Sequence, residues 1–267
     1  VKRGHAACIT LNRPEVLNSI SIEMMKELAA LYREVEADDD VWTLIVTGAG
    51  SKALCTGADM AVFESTFKDG FPSGIDMWGE PILSSRRQWE VPQEATPPYL
   101  EMTKPIICAV NGIACGAGLD LVSTSDIAIA ADHATFFDPH VSIGVVSGRE
   151  MVRMARCLPI NVAMRMALMG KHERMSAERA YQLGLITEIV SGDALMDRAW
   201  EIAEIVNRNA PLAVRGTRMA IRKGLSLPIY EAELLAESYR VRCARTDDAM
   251  EGPNAFIEKR DPVWKAG

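Results

Sequence analysis

The sequence predicts an α/β fold followed by an all-helical C-terminal region. Through residues 1–192, short apolar runs of strand length alternate with helical patterns, an alternation that favours strand–helix units. Small-residue turns connect two of these runs to the predicted helices that follow them. From Asp193 onward the patterns are helical only. We therefore predict an α/β core over 1–192 and a helical region over 193–267.

The predicted strands are apolar runs too short for helices. They cover residues 6–11, 41–47, 106–110, 127–130, 134–137 and 185–190. The helices of the core are predicted where apolar residues recur at helical spacing, and Ser21 and Ser176 suit N-caps for two of them. They cover residues 22–37, 149–157, 160–169 and 176–183. The helices of the C-terminal region cover residues 193–208, 211–223, 228–244 and 248–259.

Composition excludes several classes of protein. The net charge of −7 argues against binding nucleic acid. No apolar run has membrane-spanning length and no signal-peptide pattern is found, so we expect no membrane partner. The six cysteines lie mostly in apolar or turn contexts without metal-binding spacing, which predicts reduced thiols, no metal site and a cytoplasmic location.

The stretch from Lys104 to Asp120 carries the functional prediction. Asn111-Gly112 ends the predicted strand, and Gly116-Ala117-Gly118 then precedes a helix whose first turn contains Asp120. The first N–H groups of a helix lack intrahelical partners and lie at the positive end of its dipole. The turn therefore predicts a site for an anion, or for negative charge that develops during a reaction.

A second small-residue turn, Leu54 to Met60, lies about 60 positions earlier and is also followed by a predicted helix. Together the two turns could each supply one N–H to a single oxygen, as acyl chemistry requires when a carbonyl becomes an enolate or a tetrahedral oxyanion. A purely structural role for a glycine-rich turn is equally open. The Gly116–Gly118 turn lacks the full G-x-G-x-x-G pattern, so a dinucleotide site is not favoured.

Five motifs of the chain resemble the crotonase (enoyl-CoA hydratase/isomerase) superfamily and occur in order from the first strand to the last helix. They are Asn12-Arg-Pro-Glu-Val-Leu-Asn-Ser19, Cys55-Thr-Gly-Ala-Asp-Met60, Lys104-Pro105 with Asn111-Gly112 and Gly116-Ala-Gly-Leu-Asp120, Ala180-Tyr-Gln-Leu-Gly-Leu-Ile186, and Phe256-Ile-Glu-Lys-Arg-Asp-Pro262. The resemblance implies a spiral of ββα turns with a helical trimerisation region. It also implies a homotrimer, or a hexamer formed by two trimers.

The same resemblance implies a CoA thioester ligand whose carbonyl oxygen lies between the N–H groups of Ala58 and Ala117. Relatives usually have glycine at the second position, and alanine keeps the donor if its backbone conformation is allowed. No cofactor is implied beyond the coenzyme A of the substrate. The residues implied to bind CoA or substrate are Val16, Leu17, Thr56, Gly57, Asp59, Met60, Gly116 and Lys259. For Lys259, which can reach CoA phosphates in relatives, a solvated surface charge is the alternative.

Two departures from the family pattern limit how much of the family's activity can be assigned to this chain. Hydratases of the family use two glutamates, and this chain has Asp120 and His140 at those positions. Aspartate is one methylene shorter, so its carboxylate reaches about 1.5 Å less far. Histidine can donate or accept a proton near neutral pH. We predict that Asp120 and His140 are the catalytic pair, although a structural role for His140 remains open.

The sequence therefore predicts an enoyl-CoA hydratase or isomerase. A CoA-thioester hydrolase or a retro-Claisen C–C hydrolase is the alternative within enzymes, since relatives that cleave diketones also have a histidine in this region. A catalytically silent acyl-CoA-binding protein is the alternative outside enzymes. The irregular segment 63–98 is interpreted either as a lid over the pocket or as a surface excursion.

Overall fold

The computed structural model of the protein describes residues 1–59 and 102–266. Met60 and the predicted lid or excursion at 63–98 lie outside these residues. The strands are β1 (Lys2–Arg3), β2 (Ala6–Leu11), β3 (Thr43–Gly48), β4 (Ala53–Cys55), β5 (Ile106–Val110), β6 (Ile113–Cys115), β7 (Ile127–Ala131), β8 (Thr135–Phe137), β9 (Met175–Ser176) and β10 (Glu188–Val190). The α-helices are α1 (Ile22–Ala37), α2 (Ala117–Thr124), α3 (Arg149–Cys157), α4 (Ile160–Met169), α5 (Ala177–Gln182), α6 (Leu195–Asn207), α7 (Pro211–Gly224), α8 (Ile229–Cys243) and α9 (Asp248–Glu258).

The strands form two sheets. The larger has the order β1-β2-β3-β5-β7-β10, in which all pairs are parallel except β1 with β2. The smaller has the order β4-β6-β8-β9, with β4, β6 and β8 parallel and β9 antiparallel. Successive strands of the chain thus contribute alternately to the two sheets between β3 and β8, which agrees with the spiral that the family resemblance implies.

Both faces of the larger sheet are buried, as parallel sheets require. In β3, Leu44 and Val46 belong to the main apolar core, where α1 and α2 also pack. Ile45 lies on the opposite face with Ile107 and with residues of α6. The alternation follows from the two-residue period of a strand.

Most of the predicted elements are confirmed, with small shifts at their ends. Ser21 caps α1 as predicted, since its Oγ accepts a hydrogen bond from the Met24 N–H at 3.2 Å. The strands predicted at 41–47, 134–137 and 185–190 begin later, at Thr43, Thr135 and Glu188. The short strands β4 and β6, which build the smaller sheet, were not predicted, because three residues are too few to show a periodic pattern.

The C-terminal region is helical from Leu195 onward, as predicted, and contains α6, α7, α8 and α9. The predicted boundary near 192 marks this change in secondary structure. Nevertheless α6 packs on the larger sheet, where Ala199, Trp200 and Ala203 complete its second apolar core. No helix within residues 1–59 and 102–266 has the length and apolar character needed to cross a membrane.

Candidate active site

Three parallel strands of the smaller sheet end at one cavity. Strands β4, β6 and β8 are followed by the turns at 56–59, 116–117 and 138–140, and the carboxyl ends of parallel strands meet at the same sheet edge. The cavity has a volume of about 400 Å³. The described residues that line it are Val16, Ser19, Thr56, Gly57, Ala58, Asp59, Cys115, Gly116, Ala117, Phe137, Pro139, His140 and Ile143.

The two small-residue turns lie directly against each other. Gly57 has φ +97° and Gly116 has φ +53°, which are conformations that favour glycine. A Cβ atom on Gly116 would lie 3.2 Å from the Gly57 Cα, and one on Gly57 would lie 3.9 Å from the Ala117 nitrogen. Residues far apart in the sequence therefore place their backbones side by side at the floor of the cavity.

Each turn has a defined backbone donor at its centre. On both sides of Ala58 the chain is fixed to Ile20, because the Ile20 N–H donates to the Gly57 carbonyl at 2.8 Å and the Asp59 N–H donates to the Ile20 carbonyl at 2.9 Å. Ala117 is the first residue of α2, where helical N–H groups have no intrahelical partner. Within residues 1–59 and 102–266, neither the Ala58 nor the Ala117 N–H donates to another backbone group.

Alanine fits at position 117. The backbone of Ala117 is that of a helix start, and the positive φ of the turn falls on Gly116 instead. The methyl group thus imposes no strain, and the N–H remains available at the positive end of the helix. Ala117 meets the conformational condition for keeping the donor that relatives place on glycine.

The loop before α1 forms one wall of the cavity. Val16 ends a short 3-10 helix, and the carbonyl of Leu17 accepts a hydrogen bond from the Thr56 hydroxyl at 3.2 Å. Arg13 binds the Asp59 carboxylate at 2.8 Å across the same loop. The loop and the first turn are thereby held together, although Leu17 itself is not among the described residues that line the cavity.

His140 enters the cavity from the third turn. It begins a short 3-10 helix directly after Pro139, and its Nδ1 is hydrogen-bonded to the carboxylate of Asp138, which is fully buried. The hydroxyl of Ser147 donates to the other carboxylate oxygen. A Cβ atom on Gly116 would lie 3.8 Å from the His140 Cε1, so the imidazole edge faces the second backbone turn.

The Asp138 contact sets the protonation of His140. Its hydrogen bond raises the pKa of His140 above the usual value, and this effect outweighs burial, which lowers the pKa. For Asp138, burial favours the neutral acid, yet the hydrogen bonds from His140 and Ser147 lower the pKa of the carboxyl overall. Both shifts favour a carboxylate next to an imidazole that readily accepts a proton.

Asp120 has a different environment. It lies in the first turn of α2, as predicted, and is buried. Its carboxylate forms ion pairs with Arg149 at 3.2 Å and with Arg153 at 3.1 Å, both from α3. Asp120 is not among the described residues that line the cavity. Its predicted part in proton transfer stays a prediction.

Lys259 lies at the C-terminal end of α9. It is exposed and has φ +55°. It is not among the described residues that line the cavity, so its predicted contact with CoA remains a prediction.

The described residues contain no group of three or more His, Cys, Asp or Glu side chains placed to hold a metal ion. All six cysteines are unpaired thiols, and four of them are buried.

Sequence reasoning missed two residues of the His140 network, Asp138 and Ser147. The signal for Asp138 was present, because Asp138-Pro139-His140 closes strand β8, which pairs with β6, and β6 and its other neighbour β4 end in the two backbone turns. The signal for Ser147 was not, since its contact depends on how the loop after His140 returns. Cys115 and Phe137 line the cavity as the last residues of their strands.

The comparisons with known proteins agree with this geometry. A family described as enoyl-CoA hydratase/isomerase matches residues 2–267. The chain is 34% identical to an (E)-benzylidenesuccinyl-CoA hydratase of Thauera aromatica over 98% of this chain and 96% of that protein. It is 32% identical to a short-chain-enoyl-CoA hydratase of Clostridium acetobutylicum over 97% and 94% of the two chains.

Solved structures extend the likeness to the fold. An enoyl-CoA hydratase/isomerase from Mycobacterium paratuberculosis has a TM-score of 0.86 and 58% sequence identity, over 100% of this chain and 97% of that one. A second, from Mycobacterium abscessus, has a TM-score of 0.83 and 31% identity, over 100% and 98%. With the two apposed backbone turns at the ends of its spiral strands, the chain belongs to the enoyl-CoA hydratase/isomerase family of the crotonase superfamily.

Proposed function

We propose that the protein is an acyl-CoA enzyme, an enoyl-CoA hydratase or isomerase, that stabilises negative charge on a thioester oxygen. The observation that carries the proposal is the apposition of the turns at Ala58 and Ala117 in a cavity that His140 also lines. Two backbone donors directed at one oxygen stabilise an enolate more than the neutral carbonyl. Loss of one such donor typically costs about 2.7–4 kcal/mol of transition-state stabilisation.

His140 supplies the proton transfer in this proposal. In hydration, its neutral Nε2 takes a proton from water while the water oxygen bonds to the β-carbon, and the electron pair of the double bond moves to the thioester enolate. The imidazolium then gives the proton to the α-carbon, so that one water molecule is added in total. In isomerisation, the same nitrogen removes a proton from one carbon and returns it to another.

Asp120 is the second predicted acid–base group, and its ion pairs with Arg149 and Arg153 determine whether its carboxylate can reach a substrate proton. Two guanidinium groups, which keep their protons at physiological pH, hold the carboxylate in ion pairs, so these contacts compete with any contact to a substrate proton. To take part in proton transfer, Asp120 would have to release Arg149 or Arg153 when substrate binds. Substitution of Asp120 tests this requirement.

Thioester hydrolysis or retro-Claisen cleavage is the second candidate. The observation that favours it is the carboxylate partner of His140, because an Asp–His pair can activate water for attack on a carbonyl held by the same two N–H groups. Hydration and isomerisation keep both the thioester and the carbon skeleton of the substrate. Thioester hydrolysis releases a free CoA thiol, whereas retro-Claisen cleavage breaks a C–C bond and forms a new carboxylate while the thioester remains. Product analysis therefore separates them.

The proposed assembly is a homotrimer, or a hexamer formed by two trimers. Within the described single chain, α8 has no buried residue over its length, and it exposes Ile229, Tyr230 and Leu234. Phe256 and Ile257 of α9 are also exposed, and clustered apolar surface of this kind is typical of subunit contacts. Light scattering with size-exclusion chromatography measures the assembly.

Lys259→Ala tests the predicted CoA contact, because loss of that contact should raise KM.

The test of the proposed activity uses purified protein with a panel of enoyl-CoA thioesters of different acyl groups. We expect loss of the conjugated double bond, or its displacement, without release of CoA thiol. His140→Ala should lower kcat by about 10²- to 10⁴-fold, the usual contribution of a general acid–base group. The exposed His172 is the matched control, and His172→Ala should leave the rate unchanged.

Three outcomes would contradict the proposal. Release of free thiol as the main reaction would replace it with the hydrolase function. Turnover that is unaffected by His140→Ala would remove His140 from the chemistry. Binding of CoA thioesters without any turnover across the panel would favour an acyl-CoA-binding protein without catalytic activity.

A further inference from the structure

We infer that Asp138, supported by Ser147, is the positioning residue that makes the Nε2 atom of His140 the proton-transfer atom. This inference rests on the proposed function and goes beyond it. It assigns the tautomer and orientation of the base to two residues that are not among the described residues lining the cavity. It concerns the segment from Asp138 to Ser147, between strand β8 and helix α3.

The Asp138 carboxylate is fully buried and accepts three hydrogen bonds within this segment. The His140 N–H donates to Oδ1 at 3.1 Å, the His140 ring contacts the same oxygen through Nδ1, and the Ser147 hydroxyl contacts Oδ2. A buried carboxylate is costly unless its oxygens are satisfied. Among the described residues, the contacts to the two oxygens come from an amide, an imidazole and a hydroxyl, and of these the imidazole is the group that can carry a compensating positive charge.

The contact at Nδ1 determines the tautomer. A carboxylate accepts hydrogen bonds only, so the neutral imidazole carries its hydrogen on Nδ1 and has its lone pair on Nε2. Cε1, which is bonded to both ring nitrogens, faces Gly116 at the oxyanion turn, and Nδ1 is bound to Asp138. Nε2 is therefore the ring nitrogen left for the cavity that His140 lines. The lone pair is thus available in the cavity where the acyl group would bind.

The loop geometry explains how Ser147 reaches the same carboxylate. The 3-10 helix from His140 to Ile143 ends at Gly144, which has φ +76°, and the Val145 N–H then donates to the His140 carbonyl at 3.0 Å. This turn returns the chain to Asp138 just before α3 begins at Arg149. Ser147 therefore connects the position of the imidazole to the start of the next helix.

Other charges act on His140 from a greater distance. Asp120 on α2 and Glu150 on α3 both raise the pKa of His140, but less than its hydrogen bond to Asp138 does. Arg149 and Arg153 of α3 are paired with Asp120. A test of Asp138 must therefore separate a direct hydrogen bond from the general field of the site.

The experiment measures the pH profile of kcat/KM for the full-length assembled enzyme with the best substrate of the enoyl-CoA panel. In Asp138→Asn, one amide oxygen replaces two carboxylate oxygens, so it cannot accept from both Ser147 and the ring. We expect kcat to fall by about 10²- to 10⁴-fold with a much smaller change in KM. The acid limb should also move to lower pH, because the imidazolium has lost its anionic partner.

Ser147→Ala removes the hydroxyl and leaves the anion. The Asp138 carboxylate then has one hydrogen-bond donor fewer, and its charge acts more strongly on the imidazolium. We therefore expect the acid limb to move to higher pH, the opposite of Asp138→Asn. The matched control is Asp248→Asn. Asp248, the first residue of α9, is also buried, accepts hydrogen bonds from the Lys265 and Ala266 N–H groups, and is not among the described residues that line the cavity. We expect this control to change neither kcat nor the pH profile.

A spectroscopic measurement distinguishes positioning from simple loss of structure. The chain has four histidines, so ¹⁵N-histidine labelling gives few ring signals, and the signal that disappears in His140→Gln identifies His140. In the wild-type protein we expect the neutral ring to be protonated at Nδ1 and unprotonated at Nε2. In folded Asp138→Asn, this preference should be lost or reversed.

The outcomes of the two proposals are distinguishable. If His140→Ala abolishes turnover but Asp138→Asn keeps the wild-type rate and acid limb, the positioning inference is overturned and the proposed function stands. The same holds if the neutral ring of the wild type carries its proton on Nε2. If His140→Ala has no effect, the proposed proton transfer itself is wrong.

Discussion

Asp120 and Asp138 are both buried carboxylates beside the cavity, but they have partners of opposite chemical character. Asp120 is paired with two guanidinium groups from α3. Asp138 is paired with an imidazole and a hydroxyl from its own segment. A guanidinium stays protonated at any physiological pH, whereas an imidazole gains and loses its proton near neutrality.

This difference separates what each carboxylate can contribute. The ion pairs of Asp120 connect α2, which carries the Ala117 donor, to α3, which follows the His140 segment. They fix the relative position of the two parts of the site and change little with pH. The contact of Asp138 changes with the charge of His140, so its energy is coupled to each proton transfer. The comparison therefore predicts a large effect on stability for Asp120 and a large effect on chemistry for Asp138.

The largest effect on stability is expected for Asp120→Ala. Removal of one partner of a buried ion pair typically costs 3–5 kcal/mol, and we expect about 3 kcal/mol because Arg149 and Arg153 are each partly exposed. Urea unfolding of the assembled protein at fixed concentration measures the change. A loss below about 1 kcal/mol would show that the guanidinium groups find other partners. The claim that Asp120 has mainly a structural role would then be wrong.

The next effect concerns the activity of Asp120→Asn, which keeps the volume of the side chain. If Asp120 keeps its guanidinium partners during turnover, kcat should fall less than about tenfold, equivalent to less than 1.4 kcal/mol of barrier. Arg153→Gln, from the same ion-pair cluster, should behave alike in a matched assay. A fall of about 10²-fold in Asp120→Asn alone would show that Asp120 transfers protons, as the sequence predicts.

The sequence predicted the two backbone turns because tight turns depend on local features, whereas the binding of one oxygen by their N–H groups stays a prediction. Glycine at 57 and 116, followed in each case by alanine, signals tight turns with free N–H groups, and the structure places those turns in contact. The position of Asp120 in the first turn of α2 was also predictable from the helical pattern. These features need only residues that are neighbours in the chain.

The partners of the charged groups could not be predicted in the same way. Arg153 reaches Asp120 from 33 residues away, and no periodic pattern relates the two positions. The helical pattern over 149–157 likewise does not indicate that Glu150 is buried, as the structure shows it to be. Asp138 lies only two residues from His140, but its role depends on the burial of the turn, which the short unpredicted strand β6 helps to create by pairing with β8.

A smaller effect is expected in the pH dependence of stability. The raised pKa of His140 means that its contact with Asp138 stabilises the fold fully below the unfolded pKa, near 6.5, and that this contribution is lost as pH rises through the folded pKa. The lowered pKa of Asp138 adds a contribution that is present above its unfolded pKa and lost in acid. The free energy of unfolding should therefore decline from pH 6 toward pH 9 more in the wild type than in Asp138→Asn. Equal slopes, measured by urea unfolding across this range, would show that the contact is not coupled to protonation.

The smallest effect is expected for Glu150→Gln. Glu150 is buried in the first turn of α3 and raises the pKa of His140 by its charge, whereas Asp138 does so mainly by a hydrogen bond. Loss of the charge should move the acid limb of kcat/KM to lower pH, in the same direction as Asp138→Asn but by less. Because Glu150 leaves the His140 tautomer unchanged, kcat at the plateau should stay close to that of the wild type. If Glu150→Gln moved the acid limb as far as Asp138→Asn does, the pKa of His140 would be controlled by the summed charge of the surrounding carboxylates. Asp138 and Asp120 would then differ only in their distance from the ring, and not in the kind of contact they make.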